Sequence, residues 1–266
     1  MGPLRSPGSN SHRLFLSESR FVNHPLEGTS CGTSPGLRRA PGCDPSGRAA
    51  PAGSPGAGGG CSGGAPVNRP LIAPSELETL TAQFGPQPHQ HATVVGDGWW
   101  EEVRQSLSRR RGEVLMVIQR PGGEILVHTK AFYPPQAYRL LTGGIGWEET
   151  AWAALHREIA EETGLPVRSA TWWGLITYTL YPSEAARDQG IPFVSFVFHV
   201  HTEGEPRAAD HGEQIAAFRW VPPEALPEIA CRLESLDMPW RGWGAFRAIG
   251  HRFVWEHHRE RLLLGS

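Results

Sequence analysis

The sequence contains little that would indicate a disulfide scaffold or a membrane span. Its 266 residues include four cysteines, of which Cys31, Cys43 and Cys61 share a Gly/Pro-rich stretch and Cys231 stands far downstream. This spacing is neither a disulfide framework nor a set of paired zinc ligands. No run approaches the roughly 18 apolar residues of a membrane span, and no secretory signal is visible. We therefore expect a cytoplasmic protein with no membrane partner.

Lysine is almost absent, and Lys130 is the one lysine among the 25 lysine and arginine residues. The formal net charge is -2. Such a balance argues against a nucleic-acid partner on bulk charge. A hydrophobic fraction of 39% leaves room for one or two domains with a real core. The preference for arginine suggests a GC-rich coding sequence, so an over-extended gene start is one interpretation of the first 70 residues.

The composition changes near residue 70. Residues 1–70 are rich in glycine and proline without a period, so we predict a disordered tail there. Residues 71–109 contain "LETLTAQF" and most of "WWEEVRQSLSRRR", which predict two helices, the first with Ser75 and Glu78 as a capping box. We assign this segment to an N-terminal helical extension. Residues 110–266 then form the main domain, including C-terminal helices.

The main domain alternates strand and helix patterns. "EVLMVIQRPGGEILVHTK" predicts a hairpin around a Pro-Gly-Gly turn, and a helix from about Glu148 to Thr163 is closed by Gly164. Later strand patterns include one with four apolar residues on a single face, Val194, Phe196, Phe198 and Val200. Strands on both sides of a central helix predict a layered α/β (α+β) domain.

The central helix carries three carboxylates that should repel each other. Glu158, Glu161 and Glu162 are three or four residues apart and therefore project from one side of the helix. A solvated charged face is the ordinary interpretation of such a run. A divalent cation provides the alternative, because Mg²⁺ takes carboxylates, carbonyls and water as ligands, often beside substrate phosphates.

The stretch "GGIGWEETAWAALHREIAEETGL", residues 143–165, resembles the Nudix box. That pattern is Gly, five residues, Glu, seven residues, then Arg-Glu-aliphatic-any-Glu-Glu-any-Gly-aliphatic. The matching residues are Gly143, Glu149, Arg157, Glu158, Ile159, Glu161, Glu162, Gly164 and Leu165. If each position matched by chance about once in fifteen, the complete match would be far beyond accident for one chain.

This resemblance implies a Nudix-type mixed sheet sandwiched between helices and an Mg²⁺ (or Mn²⁺) cofactor. The metal ligands that it implies are Glu158, Glu161, Glu162 and the carbonyl of Gly143. Arg157 resembles the box arginine that orients glutamates, and Glu149 resembles the box glutamate that supports the metal site. These two are the candidate catalytic residues within the box.

A general base is often supplied in this family by a glutamate on a later loop. We choose Glu213 as the catalytic base, because it lies closest before the strand ending at Trp220. Three residues of the same segment stay as alternatives, Glu203, Glu205 and His211. His199 and His201 lie on the same face of one predicted strand and resemble a pair of metal ligands, but no third ligand accompanies them at a suitable spacing.

Members of the family hydrolyse nucleoside diphosphates linked to another moiety, so the resemblance implies a nucleotide-type small-molecule substrate. Tyr181 and Pro182 stand side by side where two subfamilies differ, and they leave the choice open between an ADP-ribose or nucleotide-sugar type and a dinucleoside polyphosphate type. Aromatic candidates for substrate binding are Tyr181, Trp173 and Tyr133, although aromatics in strands are more often core. A homodimer is compatible with this interpretation.

The most direct functional interpretation is an Mg²⁺-dependent pyrophosphohydrolase acting on phosphoric anhydride bonds. Two alternatives stay open, a non-catalytic nucleotide-sensing Nudix module and an isomerase on the same fold. The complete set of box glutamates favours the enzyme, because a sensor has no chemical reason to keep them.

Overall fold

The structure is a computed structural model that describes residues 69–207 and 214–264. The tail predicted for residues 1–70 lies outside these ranges apart from its last two residues. The described helices are α1 (Pro74–Phe84), α2 (Trp100–Leu107), α3 (Ala151–Thr163), α4 (Leu226–Glu234) and α5 (Arg241–Leu264). The described strands are β1 (His89–Val95), β2 (Arg110–Gln119), β3 (Ile125–Lys130), β4 (Arg139–Gly146), β5 (Ser169–Tyr181), β6 (Ile191–His201) and β7 (Ile215–Val221).

The strands form one mixed sheet in the order β1-β5-β6-β2-β4-β3-β7. β1 runs parallel to β5 and β2 runs parallel to β6, whereas the other neighbouring pairs are antiparallel. β2 and β4 therefore lie in the middle of the sheet.

Helices cover both faces of the sheet. On one face, side chains of α1 and α3 such as Leu80 and Ile159 share a core with Val114 of β2. On the other face, side chains of α4 and α5 such as Leu233 and Phe253 share a core with Leu115. Alternate residues of β2 thus point to opposite faces, as the pleat requires. The predicted mixed sheet between helices is confirmed.

The apolar strand face predicted from the sequence is also confirmed. Its four residues all belong to the core beside α3, namely Val194, Phe196, Phe198 and Val200. The opposite face of the same strand belongs to the α5 side, where Val197 packs. β6 is therefore buried on both faces, which is typical of a strand in the interior of a sheet covered by helices.

Helix α3 begins three residues later than the sequence pattern indicates. Thr150 has an extended backbone and its hydroxyl accepts a hydrogen bond from the Ala153 N–H at 3.1 Å, so it caps the helix and leaves Glu148 in the preceding loop. The predicted end is confirmed, because Gly164 adopts a left-handed conformation with φ 65°. This glycine ends the helix two residues after Glu162, the last of the three carboxylates.

Three local expectations differ from the structure. α1 starts with Pro74 as its first residue, so Ser75 lies inside the helix and makes no capping bond. The hairpin is limited to one residue pair, Gln119 with Ile125, because β4 inserts between β2 and β3. The segment 71–109 also contains β1, a strand with an exposed alternating pattern that pairs with β5.

Candidate active site

The loop between β4 and α3, residues 147–150, connects the two elements that carry the candidate site. Gly143 on β4 pairs with Val114 of β2. A Cβ atom at position 143 would lie 2.0 Å from Cγ of Glu158. Only glycine therefore allows the strand backbone to lie directly against this helix carboxylate. The backbone of Gly143 and the side chain of Glu158 are thus brought together as the box pattern implies.

The three box carboxylates differ in exposure. Glu158 is 8% exposed and Glu162 is 2% exposed, whereas Glu161 is half-buried. Ionised carboxylates are rarely buried unless they are paired or coordinate a metal. The acidic run is therefore not simply a solvated helix face, since two of its three members are turned into the protein.

Arg157 connects the carboxylates to the loop. Its guanidinium donates to both carboxylate oxygens of Glu149, at 2.9 and 2.8 Å, and to the carbonyl oxygen of Gly144 at 2.8 Å. Nη1 of the same side chain donates to Glu158 at 2.7 Å and to Glu161 at 3.0 Å. One arginine thus holds three carboxylates and a strand carbonyl in one network.

Arg157 and Glu149 stabilise each other in the charged form. The hydrogen bonds from Arg157 lower the pKa of the Glu149 carboxyl, and the backbone N–H of Gly146 donates to the same carboxylate at 3.2 Å. The pKa of Arg157 is raised in turn, first by Glu149 and then by Glu158 and Glu161. Glu149 therefore stays ionised at neutral pH, and its bidentate contact fixes the plane of the guanidinium.

The residues present supply the types of ligand that a hard divalent cation requires. Carboxylate and carbonyl oxygens are the ligands that Mg²⁺ prefers, and the glycine at position 143 gives the carbonyl-bearing strand close access to Glu158. No group of three His, Cys, Asp or Glu side chains within residues 69–207 and 214–264 is already arranged as a metal site. In this structure Glu158 and Glu161 both face Arg157 Nη1, so they would have to turn part of their oxygens toward a cation.

The predicted base is outside the structural description. Glu213 and its alternative His211 both lie among residues that the structure does not describe. Glu203 and Glu205 are described, and both are surface residues. Glu203 accepts from Arg168 at 3.3 Å, and Glu205 accepts from the indole N–H of Trp220 at 3.4 Å. The choice of Glu213 therefore stays a prediction.

Two of the aromatic candidates lie in the core on the α5 side of the sheet, away from the face that α3 covers. Trp173 stacks between His199 and His258, with ring centroids at 4.1 and 4.4 Å. Both faces of its ring are covered, so base stacking there would require α5 to move. The Tyr133 hydroxyl accepts from Arg139 at 2.8 and 3.0 Å in the same core.

Tyr181, the third aromatic candidate, is half-buried and the Arg187 guanidinium lies 5.5 Å from its ring centroid. It is the one of the three that keeps access to solvent. His199 does not act as half of a metal pair in this structure, because its Nε2 is bonded to the Gln119 side-chain oxygen at 2.8 Å. Burial lowers the pKa of His199 to about 3, which keeps the imidazole neutral.

Sequence reasoning missed two residues that contact the loop of the site. Arg111 on β2 donates to the carbonyl oxygen of Glu149, and Glu76 on α1 accepts from the backbone N–H of Ala151. The two residues are 35 positions apart and neither belongs to a local motif, so no sequence pattern connects them to the box.

Comparison with known proteins supports the motif. The family model described as NUDIX domain matches residues 109–237. No curated protein matches the chain. Among the described residues, no helix is long and apolar enough to cross a membrane.

Similar solved structures include three MutT proteins. One is the MutT NUDIX hydrolase of Burkholderia pseudomallei, with 22% identity, TM-score 0.36, and coverage of 61% of this chain and 98% of that one. Another is MutT from Methanosarcina mazei Go1, with 15% identity, TM-score 0.38, and coverage of 66% and 96%. The third comes from work on MutT of Aliivibrio salmonicida and Vibrio cholerae, with 17% identity, TM-score 0.31, and coverage of 44% and 82%.

With TM-scores below 0.5, these likenesses carry no argument about activity. The assignment depends instead on the matched segment and on the box within it. Residues 143–165 supply every position of that box, and its arginine holds three of its glutamates. The family match and the complete box identify residues 109–237 as a NUDIX domain of the hydrolase type.

Proposed function

We propose that this domain is an Mg²⁺-dependent pyrophosphohydrolase that cleaves a nucleoside diphosphate linked to a second moiety. The observation that supports it most directly is the placement of Glu158, Glu161 and Glu162 on one side of α3, with Gly143 of β4 packed against the first of them. The proposal extends to Mn²⁺, which accepts the same oxygen ligands. A cytoplasmic location and a homodimeric assembly stay predictions.

The three carboxylates and the carbonyl of Gly143 would hold the cation. When bound, Mg²⁺ would supply neutralisation of the pyrophosphate charge and a lowered pKa for the attacking water. Phosphoryl transfer depends mainly on positioning and charge stabilisation, so a set of oriented carboxylates is well suited to it. The partial burial of Glu158 and Glu162 limits the orientations that these ligands can take.

Arg157 and Glu149 act as positioning residues in this proposal. Arg157 holds Glu158 and Glu161 through one nitrogen and Glu149 through the other two. Glu149 fixes the guanidinium in return and ties it to the loop through the Gly146 N–H. The orientation of the ligands therefore depends on a residue eight positions earlier in the chain.

Glu213 is proposed as the group that takes the proton from the attacking water. A positioned general base contributes typically about 10²- to 10⁴-fold to a rate. The described alternatives are less suited to this role, because Glu203 and Glu205 are engaged with Arg168 and Trp220 on the surface.

The substrate is proposed to be either an ADP-ribose or nucleotide-sugar type or a dinucleoside polyphosphate type. Tyr181 and Pro182 carry the markers of both, and the exposed part of the Tyr181 ring is available for contact with a ligand. A sensor module or an isomerase on the same fold would not release nucleotide products. Product release therefore separates the proposed function from both alternatives.

A substrate panel tests the proposal. The purified protein is incubated with ADP-ribose, nucleotide sugars, dinucleoside polyphosphates and nucleoside triphosphates, with Mg²⁺ or with EDTA, and products are separated by chromatography. We expect one substrate class to release a nucleoside monophosphate in Mg²⁺ and none to do so in EDTA. Binding of a nucleotide without any product would favour the sensor instead.

A further inference from the structure

Helix α1 lies outside the segment that matches the NUDIX model, yet it packs on the same face of the sheet as α3. Leu80 of α1 shares a core with Ile159 of α3, and the rings of Phe84 and Trp152 lie 5.7 Å apart. The N-terminal end of α1 points a carboxylate at the loop that precedes α3. This carboxylate belongs to Glu76.

Glu76 and Arg111 form a buried ion pair between α1 and β2. Their closest nitrogen and oxygen atoms are 2.9 Å apart, and the two side chains are 9% and 6% exposed. Arg111 also donates to two backbone carbonyls. Nη1 donates to Leu71 at 2.7 Å, while Nη2 and Nε donate to Glu149 at 2.9 and 3.3 Å.

The same pair fixes both ends of a short loop segment. Arg111 holds the carbonyl of Glu149, and Oε1 of Glu76 accepts from the N–H of Ala151 at 2.6 Å. Ala151 is the first residue of α3, where a backbone N–H has no partner within the helix. The residues on either side of the capping Thr150 are therefore held by one ion pair.

Packing alone does not hold this loop against α1. A cavity of about 560 Å³ lies between the helix and the loop, and Trp147 and Trp152 form part of its wall. No side chain of the described residues fills it. The ion pair thus connects α1 to the loop at one side of this cavity. A buried ion pair contributes little net stability compared with apolar residues of similar size, so its geometry is the more informative feature.

We infer that Glu76 and Arg111 are positioning residues for the box, so that α1 is part of the working enzyme although it lies outside the matched segment. Arg111 fixes the backbone of Glu149, the Glu149 side chain fixes Arg157, and Arg157 orients Glu158 and Glu161. This inference rests on the proposed hydrolase function for its effect on turnover. Its structural part, the restraint of the loop, can be measured without any substrate.

The test compares Glu76→Ala with Glu78→Ala, an exposed glutamate on the same helix. Amide hydrogen exchange is followed in peptides that cover residues 144–153, and kcat and KM are measured with Mg²⁺ and the substrate found in the panel. For Glu76→Ala we expect faster exchange in the loop and a kcat about 10- to 100-fold lower, with KM within about threefold, as for residues that support metal ligands. Glu78→Ala should match the parent in both measurements.

Two further variants keep the inference testable if Glu76→Ala does not fold. Glu76→Gln retains an oxygen that can accept from Ala151, so it should lie between the parent and the alanine variant. Arg111→Lys retains the charge beside Glu76 but cannot reach the carbonyls of both Leu71 and Glu149, so its kcat should fall. A smaller loss of kcat in Glu76→Gln than in Glu76→Ala would separate positioning from a general loss of fold.

A kcat within twofold of the parent for Glu76→Ala, or for Arg111→Lys if the alanine variant does not fold, would overturn the inference. Faster exchange in the loop with unchanged kcat would show that the pair is structural only, which also overturns it. If the parent hydrolyses no substrate of the panel, the proposed function has failed. Unchanged loop exchange would separately contradict the restraint by Glu76.

Discussion

Glu149 and Arg157 are joined by two hydrogen bonds of 2.9 and 2.8 Å that bring the loop before α3 against the middle of that helix. A forked contact between guanidinium and carboxylate has a fixed plane as well as a favourable charge. Because the remaining Arg157 nitrogen reaches Glu158 and Glu161, this plane decides where two of the box carboxylates point. The pair therefore connects loop conformation to ligand orientation.

The first prediction tests this fork with a substitution that keeps its charge. Arg157→Lys should lower kcat by about 10- to 100-fold, because an ammonium cannot bind Glu149 in a bidentate manner while also reaching Glu158 and Glu161. Steady-state kinetics in Mg²⁺ provide the measurement. Arg168→Lys, at an exposed ion pair with Glu203, is the matched control and should behave as the parent.

The second prediction concerns Glu162, the most buried of the three box carboxylates. Glu162→Gln should abolish turnover, because it removes a charged oxygen ligand while keeping the side-chain shape. The Tm without metal should stay level or rise slightly, since a negative charge is removed from the acidic cluster. Calorimetry in EDTA and turnover at saturating Mg²⁺ measure the two effects. Retained turnover would contradict the metal-site assignment.

The third prediction separates the base from the ligands. Glu213→Gln should lower the maximal rate by about 10²- to 10⁴-fold, while the Mn²⁺ affinity measured by electron paramagnetic resonance barely changes. Glu205→Gln is the control, because that carboxylate contacts Trp220 on the surface. If Glu205→Gln is impaired and Glu213→Gln is not, the base has been chosen wrongly but the hydrolase proposal survives.

The site was predictable to the extent that its residues follow one another closely in the chain, from the end of β4 through the loop to the end of α3. The nine positions of the box fall within residues 143–165, so fixed helical spacing alone places Glu158, Glu161 and Glu162 on one side. The end of α3 was predictable for the same reason, because Gly164 accepts the left-handed conformation that a helix stop requires.

Features that depend on distant parts of the chain could not be predicted. The separation of β2 from β3 results from insertion of β4, which no local pattern of the hairpin indicates. β1 was missed because its alternation is carried by His89, Gln90 and His91 rather than by strongly apolar residues. The pairing of Glu76 with Arg111 likewise depends on how α1 packs against the sheet.

The fourth prediction concerns the N-terminal segment. Removing residues 1–70 should leave kcat and the cooperativity of unfolding unchanged, because the Glu76–Arg111 pair and Leu71 are retained. The described contact that is lost, between Arg69 and Glu148, joins two largely exposed side chains and should contribute little to stability. Enzyme kinetics and thermal unfolding provide the comparison. Loss of turnover or aggregation would show that residues 1–70 support the domain.

The last prediction concerns acid stability and depends on His251, a buried residue of α5. The ring of His251 is held at both nitrogens, because Nε2 accepts from the Leu140 N–H at 3.0 Å and Nδ1 bonds the Arg247 carbonyl at 2.9 Å. Protonation of Nε2 would break the first bond. Burial lowers the pKa of His251 to about 4, and the charges of Arg139 and Arg247 act in the same direction.

The direction of the pH effect follows from proton binding. The unfolded chain protonates this imidazole near its ordinary pKa of 6.5, whereas the folded protein does so only near about 4. Between these values the unfolded state binds more protons, so the free energy of unfolding falls as the pH is lowered from 6.5 toward 4. Urea unfolding at pH 7, 6 and 5 should show this loss. His251→Gln should reduce the slope, whereas His257→Gln, at an exposed position of the same helix, should not; an equal slope in all three proteins would exclude His251 as a source of the acid sensitivity.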